Sequence, residues 1–262
     1  MRDLLDLERY PLDRLDSPQG LHLIEQCRSS LATDGMLNLD GFVRPAALDR
    51  AVSELAPLID KQSFRHARRH NIYFKDTIAG LAADHPALRR FDTINHTLCA
   101  DQLVNTVVDR IYEWTPLAEF LARVMSKPRL FVMSDPLARL NILAYGPGEA
   151  LNWHFDRSQF TTTLLIRPAE SGGHFEYRSD LRSDSDPNYE GVARLLRGED
   201  PHVSEQPLAA GTLNIFAGRN TAHRITPVLG NNSRIVAVFS YYDKPGVTFS
   251  TAERIGFYGR AA

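Results

Sequence analysis

The chain has 262 residues, 43% hydrophobic and 24% charged, the balance of a globular protein with a sizeable core. Its 30 Lys and Arg against 32 Asp and Glu leave a formal charge of -2, so no global basic bias recommends a nucleic-acid partner. No segment approaches the roughly 18 uninterrupted apolar residues of a membrane span. The opening MRDLLDLERYPLDRLD lacks a signal-peptide apolar run, so a cytoplasmic protein with no membrane contact is expected.

From about residue 18 to residue 125 the periodicity is mainly helical. Leu21, Ile24, Cys27 and Leu31 recur at three- and four-residue steps until Asp34-Gly35. Pro45 suits a first helical turn ahead of Leu48, Val52, Leu55 and Leu58. Two further runs carry Leu103, Val107, Val108 and Ile111, and then, restarting at Pro116, Leu117, Phe120, Leu121 and Val124. Between them lies SFRHARRHNIYF, residues 63–74, read as a loop that is either a solvated stretch or a lid over a site. Cys27 and Cys99 fall in segments read as helical, without CxxC spacing, so neither a disulfide framework nor a zinc site is expected.

After residue 126 short runs of branched and aromatic residues take over: Leu140 to Tyr145, Phe160 to Ile166, Gly173 to Arg178, Leu213 to Phe216, His223 to Val228 and Arg234 to Tyr242. Turn signals such as Gly146-Pro147-Gly148, Gly172-Gly173 and Gly230-Asn231-Asn232 separate them, which argues for a sandwich or jelly-roll barrel. An insertion at 179–207 begins polar and then turns helical through Val192, Leu195 and Leu196. The expected organisation is α+β: one catalytic domain, 1–262, in which a mainly helical part (1–125) packs on a jelly-roll core (126–262).

Within that core, Trp153-His154-Phe155-Asp156 places an imidazole and a carboxylate on one side of an extended chain, since alternate side chains share a face. A second imidazole from another strand would complete a 2-His-1-carboxylate face with open positions, the arrangement that suits non-haem Fe(II). His223, His174 and His202 are the candidates for it, and His223 is preferred because it heads the strand pair that carries Arg234. The same ligands suit zinc, but zinc gives no reason for Arg234. An arginine returned to a metal pocket by the Gly230-Asn231-Asn232 turn calls for an anion, and the far carboxylate of a dicarboxylic cosubstrate supplies one.

On HFD, the distant His223 and Arg234, the chain resembles the Fe(II)/2-oxoglutarate-dependent oxygenases of the double-stranded β-helix (cupin-like) fold, best over residues 135 to 260. WHFDRSQFTTTLLI, GGHFEYRSDLR and FSYYDKPGVTFSTAERIGFYGR are similar to the group that holds free amino-acid (lysine-type) halogenases and their hydroxylating relatives. The resemblance implies Fe(II) on His154, Asp156 and His223, with O2 and 2-oxoglutarate as cosubstrates and ascorbate as a reductant in vitro. Arg234 would grip the far carboxylate of 2-oxoglutarate, helped by the hydroxyl of Tyr145 or Thr163. In the halogenases the carboxylate position is a small residue that lets chloride bind iron, so Asp156 implies hydroxylation.

The implied substrate is a small free amino acid, with Arg68, Arg69 or Arg157 for its carboxylate and Asp135 or Glu176 for its amine. Against Arg157, its place next to Asp156 turns it to the opposite face. The rival readings are the same chemistry on a protein side chain or nucleobase, and a barrel that binds without catalysis.

Overall fold

In the computed structural model, which describes residues 1–262, the Ser17 hydroxyl accepts the Gly20 N–H and Pro18 occupies the first turn, starting helix α1 (Pro18–Asp34). Gly35, at φ 70°, ends it in the left-handed conformation that glycine tolerates. Strand β1 (Met36–Leu39), helix α2 (Pro45–Gln62), strands β2 (Phe64–His70) and β3 (Phe91–Leu98), and helices α3 (Val107–Tyr112) and α4 (Thr115–Val124) follow. The chain then becomes mostly strand: β4 (Phe131–Val132), β5 (Leu140–Tyr145), β6 (Leu151–His154), β7 (Thr161–Arg167), β8 (Ser171–Gly172) and β9 (Phe175–Arg178). Helix α5 (Tyr189–Arg197) intervenes before β10 (Ser204–Gln206), β11 (Leu213–Phe216), β12 (Ala222–Ile225), β13 (Val228–Leu229), β14 (Arg234–Phe239) and β15 (Tyr241–Tyr242), and α6 (Thr251–Tyr258) comes last. None of these helices is long and apolar enough to cross a membrane.

Seven strands make one antiparallel sheet in the order β1-β11-β7-β14-β5-β3-β2, and four make a smaller one, β10-β9-β12-β6. β5, β6 and β7 alternate between the two sheets, as do β11, β12 and, after the short β13, β14, in the manner of a jelly roll. The large sheet is apolar on its outer face: Leu140, Ile142 and Ala144, with Leu213, Ile215, Ile235 and Ala237, join Leu55, Val108, Leu117, Phe120 and Leu121 of the helices in one core. Each fully buried Leu or Ile there contributes about 1.5–3 kcal/mol. The opposite face of the same strands carries Asn141, Tyr145, Thr163, Asn214 and Arg234, so the strands separate a dry core from a polar interior by period-2 alternation. Helix α5 covers the outside of the small sheet, packing Val192, Leu195 and Leu196 on Trp153 and Phe155.

Two expectations need correction. The residues before 126 are less helical than their periodicity suggests, because β1, β2 and β3 join the large sheet at both of its ends. Most of the stretch 63–74 is not a loop: β2 pairs with β3 from Phe64↔Thr97 to His70↔Phe91, as the outermost strand, and residues 71–74 turn away from it. Its arginines are what an exposed edge carries to discourage pairing with other chains, and that charge hides the strand in the sequence. Cys99, also read as helical, sits just beyond β3, and both cysteines are buried and unpaired.

Asp135, a candidate for the substrate's amine, is instead a fully buried joint. Its carboxylate accepts from the Leu137, Ala138 and Phe249 N–H groups and from Arg254 Nε, at 2.8–2.9 Å. Burial opposes its charge, but these donors outweigh burial and hold the carboxyl below its ordinary value. Asp135→Ala is therefore expected to cost about 3–5 kcal/mol in urea denaturation at neutral pH, since it leaves three main-chain N–H groups and the half-buried Arg254 without their acceptor. A depressed folded-state pKa stabilises above the unfolded value near 3.9 and loses that contribution as pH falls, so the gap between wild type and variant should shrink at about pH 3.

Candidate metal centre

Strand β12 lies between β6 and β9 and sets His223 directly opposite His154. The two imidazole centroids are 4.1 Å apart. Each ring spends its Nδ1 proton on a main-chain carbonyl two residues back: His154 donates to Asn152 O at 2.9 Å and His223 to Thr221 O at 3.0 Å. That fixes the tautomer and leaves both Nε2 lone pairs directed inward. Asp156, just past the end of β6, meets them with Oδ1 3.4 Å from His154 Nε2 and Oδ2 3.4 Å from His223 Nε2. The three form the molecule's metal-competent cluster, their ligand atoms all within 4.8 Å.

The electrostatics suit a cation. Burial, then the neighbouring His154, push His223 down to about 4, so it is a neutral donor at physiological pH. Burial works against the Asp156 carboxylate, but His223, His154 and the Thr161 hydroxyl hold it well below its usual range. Two imidazoles whose Nδ1 protons are already committed to carbonyls, with one carboxylate beside them, are the donor set that suits a divalent metal.

Arg234 and Tyr145 face each other across β14 and β5. Arg234 is 4% exposed, Tyr145 is fully buried, and neither Arg234 Nη1 nor the Tyr145 hydroxyl has a hydrogen-bond partner. Burial brings the guanidinium down to about 10, which leaves it charged at neutral pH. A buried cation and a buried phenol, both unpaired, are costly unless an anion completes them. The carboxylate of 2-oxoglutarate suits this pair in charge and hydrogen-bonding capacity, as the His-Asp-His face suits Fe(II). Thr163 lines the same interior but stands opposite Val238, further along β14, with its hydroxyl 3.4 Å from Asn214 Oδ1.

The remaining candidates separate clearly. Arg68 shares the inner face of β2 with His66 and His70, and its guanidinium carbon lies 4.8 Å from the centroid of the Phe74 ring, which stands nearly perpendicular to the His154 ring at 6.3 Å between centroids. Arg69 points to the opposite face of β2. Arg157 is exposed and paired with Glu253 at 2.5 Å, and Glu176 is paired with Arg224 at 2.6 Å. His174 is exposed and bound to Glu205 at 2.6 Å, and His202 is on the surface, so neither joins the cluster. Thr161, Gly218, His70 and Phe74 adjoin the site without having been singled out. Their roles come from contacts across strands and turns, which no local pattern reveals.

A family model described as Halogenase D matches residues 20–253. The epimerase SnoN of nogalamycin biosynthesis is similar over 85% of this chain and 82% of its own, at 14% identity and TM-score 0.58. The carbocyclase SnoK of the same biosynthesis is similar over 89% and 91%, at 14% identity and TM-score 0.58. HygX from Streptomyces hygroscopicus, solved with nickel and 2-oxoglutarate, is similar over 86% of each chain, at 15% identity and TM-score 0.54. No curated protein sequence matches the chain. The fold is the one these 2-oxoglutarate-handling neighbours share, and the His-Asp-His cluster sits between its two sheets. The chain belongs to the Halogenase D family.

The assignment of the third ligand has a direct check. His223→Ala is expected to abolish Mn(II) binding in calorimetric titration, and His174→Ala to leave it unchanged.

Proposed function

We propose that the protein hydroxylates an unactivated C–H bond of a small free amino acid or a close amino-acid-like metabolite. The observation that carries this reading is Asp156. Halogenating relatives have a small residue at that position, and here a carboxylate fills it and faces both Nε2 atoms. His154, Asp156 and His223 would hold Fe(II), and Arg234 with Tyr145 would hold the far carboxylate of 2-oxoglutarate. Bound together, iron and 2-oxoglutarate supply the oxidising power, 2-oxoglutarate leaving as succinate and CO2 while one atom of O2 goes to the substrate.

The chain's own contribution is position and dryness. The backbone carbonyls of Asn152 and Thr221 keep the imidazoles in one tautomer through the reaction. Trp153 and Phe155, buried on the far side of β6, exclude water from behind the ligands. Arg68 would take the substrate's carboxylate, a reading supported by its sharing a face of β2 with His70 and lying against Phe74. Phe74 stacks on His70 at a centroid distance of 4.4 Å and lies against Arg68, limiting how far that guanidinium can swing.

Succinate release with Fe(II), 2-oxoglutarate, ascorbate and a panel of free amino acids tests the substrate class. Stimulation by at least one of them, with KM raised roughly 10-fold or more in Arg68→Ala, is expected for the loss of a charge-assisted pair. No stimulation by any amino acid would overturn the substrate assignment in favour of another metabolite or a protein side chain. Arg234→Ala should weaken 2-oxoglutarate binding by about 1.5–3 kcal/mol, roughly 10- to 100-fold, while leaving metal affinity nearly unchanged. Equal 2-oxoglutarate affinity in calorimetry would refute the role given to Arg234.

A further inference from the structure

Asp156 lies beyond the last residue of β6, so the sheet does not by itself orient its carboxylate. Other contacts do. The Asp156 N–H donates to Gly218 O at 3.0 Å, tying the turn after β6 to the turn after β11. Asp156 Oδ2 accepts from Thr161 Oγ1 at 2.5 Å. Thr161 opens β7 and pairs in register with Phe216, so its hydroxyl is delivered by a strand inside the large sheet. Ser158 Oγ lies 3.3 Å from Thr161 Oγ1. Because the single Thr161 proton is committed to a carboxylate, Ser158 is the donor in that pair, and the relay runs Ser158 to Thr161 to Asp156.

Gly218 completes the arrangement by what it lacks. A Cβ there would stand 2.6 Å from Asp156 Oδ2 and closer still to Thr161 Oγ1, so any larger residue would push the two apart. The backbone at 218 does not have the positive φ that would by itself demand glycine, so close approach is the reason for it.

We infer that Thr161 is the positioning residue of the metal centre: its hydroxyl, in the space that Gly218 leaves, locks the Asp156 carboxylate so that Oδ1 faces His154 and Oδ2 faces His223. One lone pair of Oδ2 is occupied by Thr161, and the plane of the carboxylate is fixed before any metal arrives. The inference rests on reading His154, Asp156 and His223 as the metal site, and it assigns the residue that preorganises the one ligand outside a strand.

Mn(II) titration of the metal-free full-length protein, followed by electron paramagnetic resonance, tests it without any turnover. Thr161→Val keeps the shape and removes the hydroxyl, and is expected to weaken Mn(II) roughly 10- to 100-fold, the usual loss when a ligand's hydrogen-bond partner is removed. Thr161→Ser keeps the hydroxyl and should stay within about 3-fold of wild type. Gly218→Ala should behave like Thr161→Val. The visible spectrum of the Co(II)-loaded protein should change in Thr161→Val and return in Thr161→Ser.

Wild-type affinity in Thr161→Val would overturn the inference, as would equal losses in the Val and Ser variants, which would mean packing at 161 matters and the hydroxyl does not. If Thr161→Val fails to fold, Thr161→Ala serves as the hydroxyl-free variant, with the same outcomes. Failure of the wild-type protein to bind Mn(II) would instead refute the metal-site reading, so the two failures are distinct.

Discussion

The site depends on one cross-strand pair, His223 opposite His154, with β12 locked between β6 and β9. A slip of one residue in either pairing would turn an imidazole to the other face of the sheet, so the register is also the coordination geometry. The ladder regains its alignment only after an irregularity between His223 and Ile225, which confines the bulge to the segment just beyond the ligand. Each imidazole is then held by its own strand through a carbonyl two residues back, so strand formation and ligand orientation are one event. The small sheet supplies the histidines; the large sheet supplies Thr161 for the carboxylate and the Arg234 and Tyr145 pair for the anion.

An interior of this kind is expensive. A charged guanidinium, a phenol without a partner and a row of side-chain amides and hydroxyls from Asn38 through Asn214 to Thr163 occupy the space between the sheets. The same strands offset that cost on their outer faces, where leucines and isoleucines of the large sheet meet the helices in the main core. Stability is thus concentrated on one side of the sheet and chemistry on the other. That division lets the large sheet bury a charged Arg234, at a cost the helical layer offsets.

The features legible in the sequence were those written by local chemistry. Pro45, Asp34-Gly35 and the periodic Leu117, Phe120, Leu121 and Val124 report helix ends and faces, and Leu140 to Tyr145 and Leu213 to Phe216 coincide with β5 and β11. The triad was legible because its tripeptide alternation and the hairpin spacing to Arg234 constrain each other. Strand β2 was not, because an edge strand carrying Arg65, Arg68 and Arg69 lacks the apolar alternation by which strands are recognised. The amine-binding candidates failed for a different reason. Asp135 and Glu176 have the right chemistry, but Arg254 and Arg224 already hold them, and such pairings are made by tertiary structure alone.

The chain belongs to the Halogenase D family and sets a carboxylate, Asp156, against two facing imidazoles. The central claim is that Asp156, held by Thr161 between two fixed imidazoles, directs the chemistry to hydroxylation. Its most direct test is mass spectrometry of the product formed from an accepted amino acid with Fe(II) and 2-oxoglutarate in saturating chloride. The account predicts a product that has gained one oxygen atom, labelled when the reaction is run under heavy-isotope O2. A product in which hydrogen has been replaced by chlorine would contradict it.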